Sequence, residues 1–195
     1  MFKVKYDYAL PLFVFFSYLF LYLPIITLIL YSFNSGALEY TWSDFTTQWY
    51  KDLFSSREAW DTLQTSLIVG ISTVIITITM SAALVFFGRK TFLGSLFFVF
   101  YANLAVPEIV LAVGLLSLFS FFSVPLSTVT LIVGHTIIGL GYAVPMIQER
   151  YKEIDTRLIE ASYDLGATPF QTFFKIILPL MSSVLLAASM LVFII

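Results

Sequence analysis

Four stretches of this chain are nearly free of charge, and they constrain it more than any motif does. Tyr8–Leu38 and Thr62–Gly88 carry no charged residue, and Ile176–Ile195 carries none after Lys175. Thr91–Gln148 is 58 residues with a single acid, Glu108, and a single histidine, His135. About 20 apolar residues in a helix cross a bilayer, and a 58-residue helix would be roughly 87 Å long at about 1.5 Å per residue. The third stretch is therefore two spans and a turn, with Ser123-Val-Pro125 as the break. The expected spans are about 8–32, 64–87, 93–121, 126–147 and 179–195, with an external loop at 33–62 and a cytoplasmic segment at 149–178. The expected class is an all-α integral membrane protein of about five helices.

Composition closes the alternatives. The chain is 59% hydrophobic and 11% charged, whereas soluble domains run at about 45–50% apolar and about 25% charged. A soluble fold, a disordered chain and a nucleic-acid binder all need polar or basic surface that is missing here. With no cysteine there is no disulfide framework, zinc-thiolate site, iron–sulfur cluster or cysteine nucleophile. Asn34-Ser-Gly is a turn rather than a cleavage site, so the first span reads as uncleaved.

Lysine and arginine set the orientation. Lys3, Lys5, Arg89, Lys90, Arg150, Lys152, Arg157 and Lys175 fall on one side of these spans, and only Lys51 and Arg57 on the other. The N-terminus is expected in the cytoplasm. Prolines 11, 24, 107, 125, 145 and 179 lie in or beside the spans, with Gly134, Gly139 and Gly141 in the fourth. Kinked helices against small residues suit a packed bundle around a cavity, although both residues are common in membrane helices anyway.

The segment 149–178 is the most patterned. Asp155 suits an N-cap and Gly166 a helix stop, with Leu158, Ala161 and Leu165 on one face between them. Thr168-Pro169-x-Gln171 is a capping box with proline at the first helical position, and Phe170, Phe173 and Phe174 follow. Two short helices with a glycine elbow and an exposed apolar stripe are expected. Five acids against four bases suit a protein-docking surface better than a hairpin lying on lipid.

Glu160-Ala161-Ser162-x-x-x-Gly166, then nine residues, then Ile176-x-Leu178-Pro179 resembles the EAA loop of ABC-importer permeases, with Ser162 in place of the usual second alanine. Ser32-Phe33-Asn34-Ser35, Phe45-Thr-Thr-x-Trp49-Tyr50, Pro107-Glu108-Ile109-Val110 and Asp164-Leu-Gly-Ala167 are similar to the spermidine/putrescine branch, second-subunit type. The resemblance implies that Leu158, Glu160, Ala161, Leu165, Gly166, Ala167, Phe170 and Phe173 couple to a cytoplasmic ATPase dimer, which would hold ATP and magnesium. It also implies a second permease subunit, an extracytoplasmic solute-binding protein and a bacterial inner membrane. No cofactor is expected in this chain.

Glu108 is the one carboxylate inside an expected span, where a charge costs about 2.5–3.5 kcal/mol on insertion scales. That cost makes it a candidate stepping point for a polyamine, the alternative being a locally paired acid at the Pro107 break. Trp42, Trp49, Tyr50 and Trp60 accompany Glu39, Asp44, Asp52, Glu58 and Asp61 in the external loop. Such a set suits a cation or an interfacial belt; the resemblance, in whose stretch Trp49 falls, implies that Trp49 joins Glu108 as a pathway candidate. His135 has no second ligand for a metal and reads as a packing residue. Tyr142 and Gln148 suit either a pathway lining or packing.

The chain has no GxxxxGK[ST] loop and no paired catalytic groups, so it is not expected to be an enzyme. An ATP-driven importer subunit is the leading reading. The alternatives are a permease for another small solute and a non-transporting membrane scaffold. The last apolar stretch ends at Val192-Phe-Ile-Ile195 without an anchor, whereas the resembled family continues to a sixth span. The sequence reading is therefore a truncated form that inserts but supports little uptake.

Overall fold

A computed structural model describes residues 9–36, 41–88 and 97–195. Lys3, Lys5, Glu39, Arg89, Lys90 and the first residues of the expected third span lie outside them. The described residues are helical apart from turns and one isolated bridge, Asn34 to Phe45. Together with three to five helices of membrane-crossing length and apolarity, this is an all-α membrane protein. Two compact units divide between Thr62 and Leu63.

The first unit holds α1 (Ala9–Tyr31), α2 (Gln48–Ser55) and the start of α3 (Arg57–Ala83). Helix α1 is apolar on every side and its side chains are exposed almost throughout, the pattern of a helix whose solvent is lipid. Pro24 lies inside it without ending it. Ser17 and Thr27 return their hydroxyls to the carbonyls of Phe13 and Leu23, which removes their polar cost in hydrocarbon.

In the second unit α3 continues into a single π turn, Leu84–Gly88. Its Val69, Thr73, Thr77 and Ser81 are buried at four-residue spacing, one helix face. Next come α4 (Phe97–Asn103), α5 (Glu108–Phe121) and α6 (Thr128–Lys152). The elbow follows as α7 (Thr156–Asp164), α8 (Pro169–Thr172), a π turn at Phe173–Ile177 and α9 (Leu178–Leu180). Helix α10 (Ser182–Ile194) closes the order. The core sits where α4 and α10 pack on α6, around Val85, Ala143, Val144, Ile147, Ile177, Ala188 and Val192. A Cβ on Gly139 would meet Thr77 and Val192 at 3.2 Å, so a small residue there sets how closely α3, α6 and α10 approach.

Two expected spans are broken. The described part of the third expected span, 97–121, turns by 115° between α4 and α5. Pro107 has no N–H to continue a helix, and it disfavours helical backbone at the residue before it. The last span does not run straight from Pro179: α10 begins at Ser182, bent by 75° from the preceding helix. Pro179 withdraws the donor that the Lys175 carbonyl would use, and the adjoining π turn adds a residue to the helical register.

Candidate functional site

The break between α4 and α5 is the chemically richest place in the second unit. Pro107 occupies the N-cap position of α5, and Glu108 is the first residue of that helix. Sequence reading weighs Glu108 as a charge within a span. The structure instead puts it at a helix N-terminus, where partial positive charge favours a carboxylate. Tyr142 Oη donates to Glu108 Oε1 at 2.7 Å. Among the described residues no lysine, arginine or histidine pairs with Glu108.

Two more contacts hold the break on α6. Asn103, the last residue of α4, lies so close to Gly141 that a Cβ there would sit 1.9 Å from its Nδ2. Tyr101 Oη donates to Glu149, which also takes Lys152 Nζ at 2.8 Å. Pro145 lies inside α6 and cannot supply the N–H that the Gly141 carbonyl would receive four residues on. Glu108 and Asn103 therefore meet α6 at the neighbouring positions Tyr142 and Gly141, just before Pro145. Tyr142 is the member that sequence reading left undecided; only a fold that faces α6 with residue 108 singles it out.

The elbow is built by local rules. Asp155 caps α7 through Arg157 N at 3.0 Å. Gly166 ends it at φ +79°, a left-handed conformation that costs a residue with a Cβ. Gly166 N donates to Tyr163 O at 2.8 Å and Ala167 N to Ser162 O at 2.9 Å, the paired bonds of a Schellman end. Thr168 and Gln171 then exchange both bonds of the capping box. Leu158, Leu165, Phe170 and Phe174 are exposed, as are Glu160 and Ala161, and Ala167 is half-buried.

Phe173 departs from the expected stripe. It is buried, with its ring 5.1 Å from Phe86 and 5.7 Å from Phe87. The turn Phe173–Ile177 is π rather than α, and Phe173 packs inward as the elbow's anchor. Sequence reading also missed the lock inside the elbow. Ser162 and Thr172 are buried, their hydroxyls 2.8 Å apart, and Ser162 also donates to Ile159 O at 2.7 Å. Ser162, where the resembled motif has alanine, was the available signal.

In the first unit the loop that follows α1 is pinned by its own side chains. Asn34 is buried, accepts from Ser43 N at 2.8 Å and donates to Thr41 O at 3.1 Å. Trp49 Nε1 donates to Asn34 O at 2.8 Å, and Phe33 stacks on Phe45 at 5.4 Å. Tyr31, Ser32, Trp49, Tyr50 and Leu53 help line an open cavity of about 390 Å³. Trp49 and Glu108 belong to different units. Trp60 donates to Phe54 O at 2.9 Å. In the second unit His135 Nδ1 lies 2.9 Å from Leu131 O, one turn back on its own helix.

A family model for binding-protein-dependent transport system inner membrane components matches residues 75–195, more than half of the chain. The chain belongs to that family. The spermidine/putrescine transport system permease protein PotC of Escherichia coli (strain K12) is 36% identical over 169 residues, covering 84% of this chain and 63% of its own length. PotC of Haemophilus influenzae is 33% identical over 179 residues, 86% of this chain and 66% of the relative. The putrescine transport system permease protein PotI of E. coli (strain K12) is 29% identical over 187 residues, 91% of this chain and 66% of the relative. The chain thus spans less than two thirds of the length of these relatives. The family match covers α5, α6, the elbow and α10, so both the break and the elbow lie within it.

Proposed function

We propose that this chain is the transmembrane subunit of an ATP-driven importer for polyamines, lying in a bacterial inner membrane with its N-terminus in the cytoplasm. It shares the pathway with a second permease subunit, receives cargo from an extracytoplasmic solute-binding protein and couples to a separate ATPase dimer that binds ATP and magnesium. The observation that carries this reading is the elbow of α7 and α8. It is rigidly capped at both ends and locked within by Ser162 and Thr172, yet exposes Leu158, Leu165, Phe170 and Phe174. A rigid apolar projection on a polar segment is how a helix pair presents itself to a groove in a partner. The names of the relatives support the polyamine part, as does a carboxylate without a basic partner at the α4–α5 break.

Docking and cargo are tested apart. In the complete transporter, Gly166→Pro and Ala161→Asp should leave insertion intact, reduce co-purification of the ATPase and abolish ATP-dependent uptake of spermidine. Full ATPase association with full uptake in both variants rules out the elbow as the docking element. ATPase association with no ATP-dependent uptake of any cation or neutral solute in the unaltered protein would favour a scaffold.

A further inference from the structure

The α4–α5 break and α6 meet through groups that do not complete one another. Among the described residues Glu108 takes a side-chain hydrogen bond from the phenol of Tyr142 alone. Helices α4 and α5 contain no lysine or arginine, and on α6 the first is Arg150, engaged with Glu153 at 2.6 Å. The acceptor here is the Glu108 carboxylate, of which the phenol takes one oxygen. The aromatic ring belongs to the same Tyr142. A carboxylate beside a π face, with no basic side chain paired to it among the described residues, suits an alkylammonium group.

We propose that Glu108 and Tyr142 form an ammonium-operated latch. Without cargo, the Tyr142 hydroxyl holds Glu108 and so keeps the α4–α5 break on α6. An incoming ammonium takes the carboxylate and the ring face, the phenol loses its acceptor, and the break is left with only its Asn103 and Tyr101 contacts to α6. From Tyr142 the same helix runs unbroken to Lys152, and α7 of the elbow opens at Thr156. Cargo arriving at the break is thereby felt on the helix that carries the elbow. This inference rests on the transport reading for its cargo, but the latch has its own readout.

That readout is amide hydrogen exchange over residues 104–110 in the intact protein in nanodiscs, with putrescine as the cation and 1,4-butanediol as its neutral counterpart. Losing a hydrogen bond to a charged group should speed exchange there by about tenfold or more. Saturating putrescine should do this in the unaltered protein, and butanediol should not. Tyr142→Phe should show the fast exchange with no cargo present and gain nothing further from putrescine. Glu108→Gln should lose the response to putrescine.

Unchanged exchange in the unaltered protein with putrescine, or in Tyr142→Phe without it, overturns the latch even if polyamine uptake is robust. A putrescine response at 104–110 in a complete transporter that carries no polyamine sustains the latch and overturns the transport reading. Acceleration by butanediol equal to that by putrescine overturns the ammonium assignment.

Discussion

The elbow and the α4–α5 break both interrupt the helical chain at a proline, but different forces place them. At the elbow Pro169 follows a capping threonine, Gly166 supplies the left-handed turn, and each end closes its own hydrogen bonds within four or five residues. At the break Pro107 caps α5 with no side-chain bond. Its geometry is fixed by Tyr101 on Glu149, Asn103 on Gly141 and Tyr142 on Glu108. The first turn is local and would form on any scaffold that tolerated it. The second exists only while α6 is beside it. The comparison teaches that a proline says where a helix stops, whereas the neighbouring helix decides which way the chain then goes.

That contrast can be broken or sharpened experimentally. The largest effect is expected where the elbow stops being local: Phe173→Ala should cost about 3–5 kcal/mol, because the ring fills the core beside Phe86 and Phe87. Phe170→Ala should cost less, about 1 kcal/mol, because Phe170 is largely exposed although its ring lies 5.2 Å from Phe87. Unfolding in detergent micelles compares the pair, and equal losses would mean that Phe173 is not the anchor. Next comes Gly141→Val, expected to cost about 1–3 kcal/mol by overpacking against Asn103. Gly134→Val on the same helix has only Leu115 at 4.0 Å and serves as its control. Similar unfolding temperatures for the two variants would remove Asn103 as a fixed contact.

The smallest effect is expected from Thr168→Ala, about 1 kcal/mol for a lost N-cap. Amide exchange should quicken at 169–171 while the 104–110 stretch stays unchanged. Quickening at both places would show that elbow and break are one cooperative element rather than a local and a tertiary one.

Much of this was legible in the residues. The membrane class follows from uncharged runs that no water-facing fold can accommodate. The elbow follows from caps whose donors and acceptors lie within a few positions of each other, so sequence distance and spatial distance nearly coincide. The direction in which Phe173 points was not legible, because Phe170, Phe173 and Phe174 offer the same apolar ring and only packing against Phe86 and Phe87 turns Phe173 inward. Nor was the lock between Ser162 and Thr172, since two hydroxyls ten residues apart gain meaning only once the elbow folds them together. Glu108 was identified as costly in a span, but its partner lies 34 residues away, beyond any periodicity. The sequence by itself determined where polar groups must be rescued from hydrocarbon. The tertiary structure alone decided which groups rescue them, because hydrogen bonds between helices depend on rotation and register set by packing around α6.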